Sequence, residues 1–220
     1  MSARATPPAG GVPAAVAVVP AAGASRRMGR PKLLLPYGDG GGTVLGAVVA
    51  ALRAGGAAPV VVVAAAADAE LRRWCAEAEE AAGLLVALNP VPERGMLSSI
   101  LEGLAALGGA GELARRGATL LVSPGDLPGL RPETVAELLR RRRAAGAGLA
   151  VPVWRGRRGH PLAVAPALIQ EIAGLDPARG LRHLLDRHAG ELLRVEADDP
   201  GCVADLDTPE DYGRLPPAGR

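Results

Sequence analysis

The chain has 220 residues, 49% hydrophobic and 22% charged, with a formal net charge of +2. That size and balance fit one folded domain with an ordinary core and exclude a disordered or low-complexity chain. Aromatic residues make up only 2% and Phe is absent, which removes the stacking platforms of a single-stranded nucleic-acid binder.

In chain order, residues 1–12 are rich in Ala, Pro and Gly and read as a disordered tail, 13–215 as the domain, and 216–220 as a short C-terminal tail. A signal peptide is the competing reading of the N-terminus. It is disfavoured because the n-region carries only Arg4 and because Pro13 and Pro20 interrupt the apolar stretch. The first strand is expected at 15–19, followed by a Gly/Arg/Pro loop over 21–31 and a helix capped by Thr43 and running to 54. A strand at 59–64, a helix after Asp68 running to 82, a strand at 84–88 and a helix at 97–107 follow. The fourth strand is 119–122, and Pro132 suits the first position of a helix to about 143. The arginines at 140–143 then fall at a helix C-terminus, where cations complement the dipole, rather than in a nucleic-acid patch. Strands at 149–153, 161–165 and 192–195, helices at 166–173 and 181–188, and a last helical turn opening at 207–210 complete the pattern.

Apolar β-branched runs alternating with helices predict one α/β domain with a mostly parallel, Rossmann-like central sheet. Cys75 and Cys202 have neither metal-type spacing nor the look of a disulfide framework, which points to the cytoplasm. The longest apolar run, 57–67, is too short to span a bilayer, so no membrane partner is expected.

Ligands of open α/β sheets bind beyond the carboxyl ends of the strands. Three segments fall there. The first is PAAGASRRMGRPK, residues 20–32. Its small residues at 21–25 let backbone N–H groups approach an anion, and Arg26, Arg27, Arg30 and Lys32 supply cationic donors for phosphates. It is neither a P-loop nor GxGxxG. The second is LLVSPGDLPGL, residues 120–130. There Asp126 ends a buried strand and either holds Mg²⁺ against nucleotide phosphates or makes an Asx-type turn before Pro128. The third is DDPGCVADLDTPED, residues 198–211, where Asp205 and Asp207 share one face of an extended segment. Asp207 either completes a two-carboxylate Mg²⁺ site with Asp126 or caps the helix that follows.

The stretch AAGASRRMGRPKLLLP (21–36) closely resembles the signature AAGxSxRMGxxKxLLP of the MobA-like NTP transferases, and within them is most similar to the molybdenum-cofactor cytidylyltransferases. The resemblance continues through Asn89-Pro90, ERGMLSSI (93–100), GDLP (125–128), GRRGHP (156–161) and DLDTPED (205–211). It implies a nucleotidyltransferase in which an acceptor phosphate attacks the α-phosphorus of an NTP and pyrophosphate leaves. The substrates it implies are CTP and molybdopterin, with a molybdoenzyme as recipient of the product. On this resemblance Ala22, Gly23, Ala24 and Ser25 contact the nucleotide, Arg27 and Lys32 neutralise its phosphates, and Asp126 and Asp207 hold Mg²⁺. Lys32, Arg27 and Asp126 are thus the expected catalytic residues. Gly95, Ser98 and Ser99 lie near the nucleotide, and Gly159 and His160 on the acceptor side. Guanylyl-transferring relatives more often carry Gly where Ala22 stands, which favours CTP.

Two positions depart from the family pattern. Pro20 replaces an aliphatic strand residue, with a distorted strand end expected, and Leu127 stands where cytidylyltransferases often carry Gln or His. Two other readings compete: the same chemistry on another acceptor such as a sugar phosphate, and a non-catalytic cofactor-binding chaperone. A nicotinamide dehydrogenase is disfavoured, because no acid follows the second strand at 64–67.

Overall fold

A computed structural model describes residues 15–23, 31–38, 42–82 and 84–215 of the chain; the two expected tails and positions 24–30 of the basic loop lie outside the described residues. The described elements are β1 (Ala15–Pro20), α1 (Val44–Ala54), β2 (Ala57–Ala65), α2 (Ala69–Ala82), β3 (Leu85–Asn89), α3 (Met96–Ala106), α4 (Ala110–Arg115), β4 (Thr119–Val122) and α5 (Pro132–Ala145). They continue as β5 (Leu149–Trp154), β6 (Arg157–Arg158), β7 (Leu162–Val164), α6 (Pro166–Ile169), α7 (Leu181–Arg187), β8 (Leu192–Glu196) and α8 (Pro209–Gly213). A 3₁₀ turn spans Lys32–Leu34.

The strands form one sheet in the order β3-β2-β1-β4-β7-β5-β6, with β8 paired to β5. β1, β2, β3 and β4 run parallel. β7 is antiparallel to both β4 and β5, and β8 is parallel to β5. The expected α/β architecture with a mostly parallel sheet is therefore the one found. Alternation along β1 explains the layering. Ala17 and Val19 pack with Val48 and Leu52 of α1 and Val135 and Leu138 of α5, while Val16 and Val18 pack with Ile100 and Leu104 of α3 on the opposite face. Because both faces are covered, the parallel strands read as unbroken apolar runs rather than as alternating ones.

Local chemistry accounts for most helix starts. Thr43 Oγ1 accepts the Gly46 amide at 3.0 Å, and Asp68 Oδ1 accepts that of Leu71 at 2.9 Å. Pro132 opens α5, which ends on Gly146 at φ 61. The arginines at 140–143 do not form a basic patch: Arg140 pairs with Glu137, and buried Arg142 donates to Thr119 Oγ1 and the Ala147 carbonyl. Among the described residues no helix is long and apolar enough to cross a membrane.

Four details differ from expectation. α4 was hidden by the glycines around it, and β6 is too short to show periodicity. The expected helix over 166–173 is α6 followed by a 3₁₀ segment, Gln170–Gly174. Pro20 does not distort β1: it keeps its register opposite Val63, and the next amide, Ala21, donates to the Val63 carbonyl at 2.8 Å. Amides alternate in direction along a strand, so position 20 would donate toward β4, one step beyond the last β1–β4 pair at Val18 and Val122. Proline loses nothing there.

One buried carboxyl group joins two segments far apart in the chain. Asp199, 1% exposed, accepts from the Arg131 amide at 3.0 Å, Thr134 Oγ1 at 2.7 Å and the Gly201 amide at 2.9 Å, tying the segment after β8 to the start of α5. Asp199→Ala strands those three donors and should cost about 3 kcal/mol or more, read as a lowered urea midpoint at unchanged slope. A midpoint shift below about 0.5 kcal/mol would contradict this role.

Candidate functional site

The chain leaves β1 into Ala21, Ala22 and Gly23, and leaves β4 into 123–126, so both segments lie on the carboxyl edge of the sheet. Ala22 is half-buried and Gly23 exposed, and a Cβ at Gly23 would meet no described atom within 4 Å. Past the loop, the 3₁₀ turn at Lys32–Leu34 buries Leu33 in the core beside Leu45, and Leu35 is buried two residues on. This anchoring aims Lys32 across the edge. Its Nζ donates to Asp126 Oδ2 at 2.6 Å and to Asp207 Oδ1 at 3.0 Å, joining positions 94 and 175 residues away in sequence.

The third segment reaches the site by backbone packing. Gly201 lies directly on the backbone of Gly129, where any side chain would collide with the Gly129 carbonyl. The Leu206 amide then donates to the Asp126 carbonyl at 3.0 Å. Leu206 is buried with Leu35 and Val44, and Tyr212 donates its hydroxyl to the Pro36 carbonyl at 2.7 Å. The capping alternative for Asp207 is corrected: Thr208 is the N-cap, accepting the Asp211 amide at 3.2 Å, while Asp211 Oδ2 accepts the Thr208 amide at 2.8 Å in a reciprocal capping box. Asp207 is left with its carboxylate on Lys32. Asp126 makes no Asx-type turn either, its Oδ2 being on Lys32.

Burial would lower the Lys32 pKa, but the hydrogen bonds and charges of Asp126 and then Asp207 outweigh it and raise the value above its ordinary 10.5. The ammonium is charged at neutral pH. Two carboxylates share it, and Asp126 Oδ1 is buried without a hydrogen-bond partner among the described residues. An orphaned carboxylate oxygen in an excess of negative charge suits a hard divalent cation that takes one or two carboxylates and completes its shell with phosphate and water. Among the described residues no group of three or more His, Cys, Asp or Glu side chains converges as an all-protein metal cage.

Other expected residues fall around this centre. Asp205 is exposed and does not reach Lys32 with Asp207; its charge faces His160. The His160 amide donates to the Cys202 carbonyl at 2.8 Å and the ring Nδ1 is buried without a partner among the described residues, while Gly159, whose amide donates to the Pro152 carbonyl at 2.8 Å, packs against the Cys202 backbone. At the end of β3, buried Asn89 donates to Ser98 Oγ at 2.8 Å and Ser99 Oγ at 2.9 Å and accepts the Val91 amide at 2.9 Å. Ser99 is thus interior, Ser98 half-buried, and Gly95 exposed at φ 90 ahead of α3. Ala24, Ser25 and Arg27 lie outside the described residues. Leu127 is fully buried beneath the site, which explains an apolar residue at that position. Sequence reasoning missed Asn89 and Asp199 as organisers. The signal was present in both: a polar residue directly before proline at the end of an apolar strand or in a turn.

The MobA-like NTP transferase domain model matches residues 17–192. Among solved structures, the Rv0371c protein of Mycobacterium tuberculosis H37Rv is 29% identical with a TM-score of 0.73, covering 93% of this chain and 97% of that one. A manganese complex of the same protein aligns at 26% identity and TM-score 0.66, covering 92% and 97%. A nucleotidyl transferase from Methanothermobacter thermautotrophicus is 26% identical with a TM-score of 0.71, covering 91% and 95%. Among curated proteins none matches. With its crevice, its three converging segments and a family match over most of its length, the chain belongs to the MobA-like NTP transferase domain family.

Proposed function

We propose that this protein transfers CMP from CTP to molybdopterin with Mg²⁺ and releases pyrophosphate. The observation that carries the reading is Lys32 held between Asp126 and Asp207 at the carboxyl edge of β1 and β4. An oxygen of the acceptor phosphate forms a bond to the α-phosphorus as the bond from that phosphorus to the bridging oxygen breaks, and the electron pair leaves with pyrophosphate. The protein's part is positioning and charge compensation rather than covalent catalysis.

Asp126 and Asp207 are the residues that would hold the metal, and a manganese complex of the M. tuberculosis relative supports divalent-metal use. The bound ion would neutralise charge on the phosphates as the leaving group departs. Lys32 and Arg27 compensate phosphate charge from the protein side, with the backbone of Ala22, Gly23, Ala24 and Ser25 cradling the nucleotide. Gly95, Ser98 and Ser99 border its far side, where Asn89 fixes both serine hydroxyls. Gly159 and His160 face the acceptor. Ala22, in place of the glycine more usual in guanylyl-transferring relatives, favours CTP.

Pyrophosphate release by purified protein with molybdopterin, Mg²⁺ and each of CTP, GTP, ATP and UTP tests the reading. Release is expected with CTP and is abolished by a chelator. Lys32→Ala and Asp126→Ala should each lower kcat by about 10²- to 10³-fold with an unchanged circular dichroism spectrum. Near-wild-type turnover in either variant would remove the proposed site, and silence with every nucleotide would remove the reaction.

His160 gives a pH test. Burial lowers its pKa below the ordinary 6.5, against opposing pulls from Asp205 and Asp126. The unfolded chain therefore takes up a proton at a pH where the folded chain does not, so this group contributes a loss of stability as pH falls below about 6.5. The stability difference between wild type and His160→Gln should shrink from about pH 7.5 to about pH 5 in denaturant titrations. A difference constant over that range would show that the ring titrates normally.

A further inference from the structure

The hairpin joining β5 to β6 carries the sequence Trp154-Arg155-Gly156-Arg157-Arg158, and residues 155–158 are all exposed. β5 is antiparallel to β7, and β7 is antiparallel to β4, so β5 ends at the same edge as β4. The hairpin thus rises beside the site, on the side opposite the basic loop that follows β1. It leads directly into Gly159 and His160.

Its turn is unusual. Trp154 pairs with Arg157, which leaves Arg155 and Gly156 as a two-residue loop, and their φ values are 48 and 77. Such a turn needs positive φ at both positions and is ordinarily filled by Asn-Gly, Asp-Gly or Gly-Gly. Arg155 is the one described non-glycine residue with positive φ. An arginine there is conformationally unfavourable, and a cation–π contact offsets part of that cost: the guanidinium lies over the Trp154 ring, 4.8 Å from its centroid. Arg157, the cross-strand partner of Trp154, reaches the Val203 carbonyl at 3.4 Å, two residues before Asp205. Among the described residues Arg155, Arg157 and Arg158 have no acidic side chain at ion-pair distance.

The charge balance gives these arginines a task. Asp126 and Asp207 at Lys32, and exposed Asp205 on the His160 side, would repel a second polyanion entering beside the nucleotide. Lys32 is committed to two of those carboxylates. We propose that Arg155 and Arg157, flanking Trp154, form a clamp for the phosphomonoester of the acceptor. The clamp holds that dianion against the carboxylates until it meets the α-phosphorus. This deepens the proposed function and rests on it for the identity of the acceptor. Arg155 supplies the charge from the turn, Trp154 holds its guanidinium in place, and Arg157 fixes the hairpin to the segment that carries Asp205 and Asp207.

The test separates the clamp from the reaction. Full-length protein saturated with Mg²⁺ and CTP is titrated calorimetrically with inorganic phosphate at low ionic strength, and the KM for molybdopterin is measured by pyrophosphate release. Arg155→Asn keeps a residue the turn favours and removes the charge; Arg157→Gln removes the second guanidinium. Each should weaken phosphate binding and raise the molybdopterin KM by about tenfold, with CTP affinity within twofold of wild type and Arg155→Lys partly restoring both. Phosphate affinity unchanged in Arg155→Asn and Arg157→Gln, or no phosphate binding by the wild type, overturns the clamp even if CMP transfer proceeds. Phosphate binding that depends on Arg155 and Arg157 in a protein that releases no pyrophosphate with molybdopterin leaves the clamp standing and removes the proposed reaction.

Discussion

The Lys32 ammonium is the point on which the site depends. Asp126 and Asp207 come from segments far apart in sequence, and both side chains converge on one nitrogen. Two carboxylates brought together without a cation would raise each other's pKa until one took up a proton, and a partly buried Asp126 would carry the larger desolvation cost. The ammonium offsets that repulsion by donating to both. It also ties the turn at Lys32–Leu34, the loop after β4 and the segment before α8 to one point. On the proposed reading, an incoming cation and triphosphate enter a site whose negative charge is already gathered and whose lysine is within reach of the phosphates.

The sheet explains why these segments meet. From β1 the chain goes to β2 and then β3 on one side, and returns to place β4 on the other side of β1. The order reverses at β1, so the ends of β1 and β4 form a topological switch point, the place where ligands of such sheets bind. Lys32 follows the first of these strands and Asp126 terminates the second. Asp207 has no strand to carry it there. It arrives through close backbone contact, Gly201 against Gly129 and the Leu206 amide on the Asp126 carbonyl, and is secured by the small apolar cluster of Leu35, Val44 and Leu206.

That difference in how residues reach the site is also the difference in how legible they were. β1, β2, β3 and β4 stand out in the sequence because strands buried on both faces are apolar without interruption, and the acid ending the last of them is conspicuous for that reason. Thr43, Asp68 and Pro132 announce their helices through local chemistry that needs no tertiary information. Asp207 was ambiguous because an acid before Thr-Pro-Glu fits a helix cap as well as a metal site, and only the capping box of Thr208 and Asp211 assigns the cap elsewhere. Asp199 and Asn89 were not read as organisers because only their turn contacts, to Gly201 and Val91, are local, while Thr134 is 65 positions from Asp199 and Ser99 is 10 from Asn89. Side chains that satisfy buried donors across the fold leave no periodicity to read. α4 was lost for the opposite reason, since its flanking glycines are strong local breakers and its one fully buried anchor, Leu113, is too little to outweigh them on sequence grounds.

On the proposed reading the two halves of the sheet divide the electrostatic work. The parallel half ends in the small residues 21–23, which suit a nucleoside triphosphate. The antiparallel half, β5, β6 and β7, ends in the arginine hairpin and His160. Between them lie the carboxylates, so each polyanion would be held from its own side while the centre repels both except where a cation bridges them. An arrangement of this kind favours reaction over mere co-binding, because the substrates are drawn together only through the bridging charge and not by direct attraction. On the same reading it also separates the two specificities physically: changes in the loop after β1 would alter which nucleotide is used, and changes in the hairpin after β5 which acceptor is used, without either disturbing Lys32, Asp126 and Asp207.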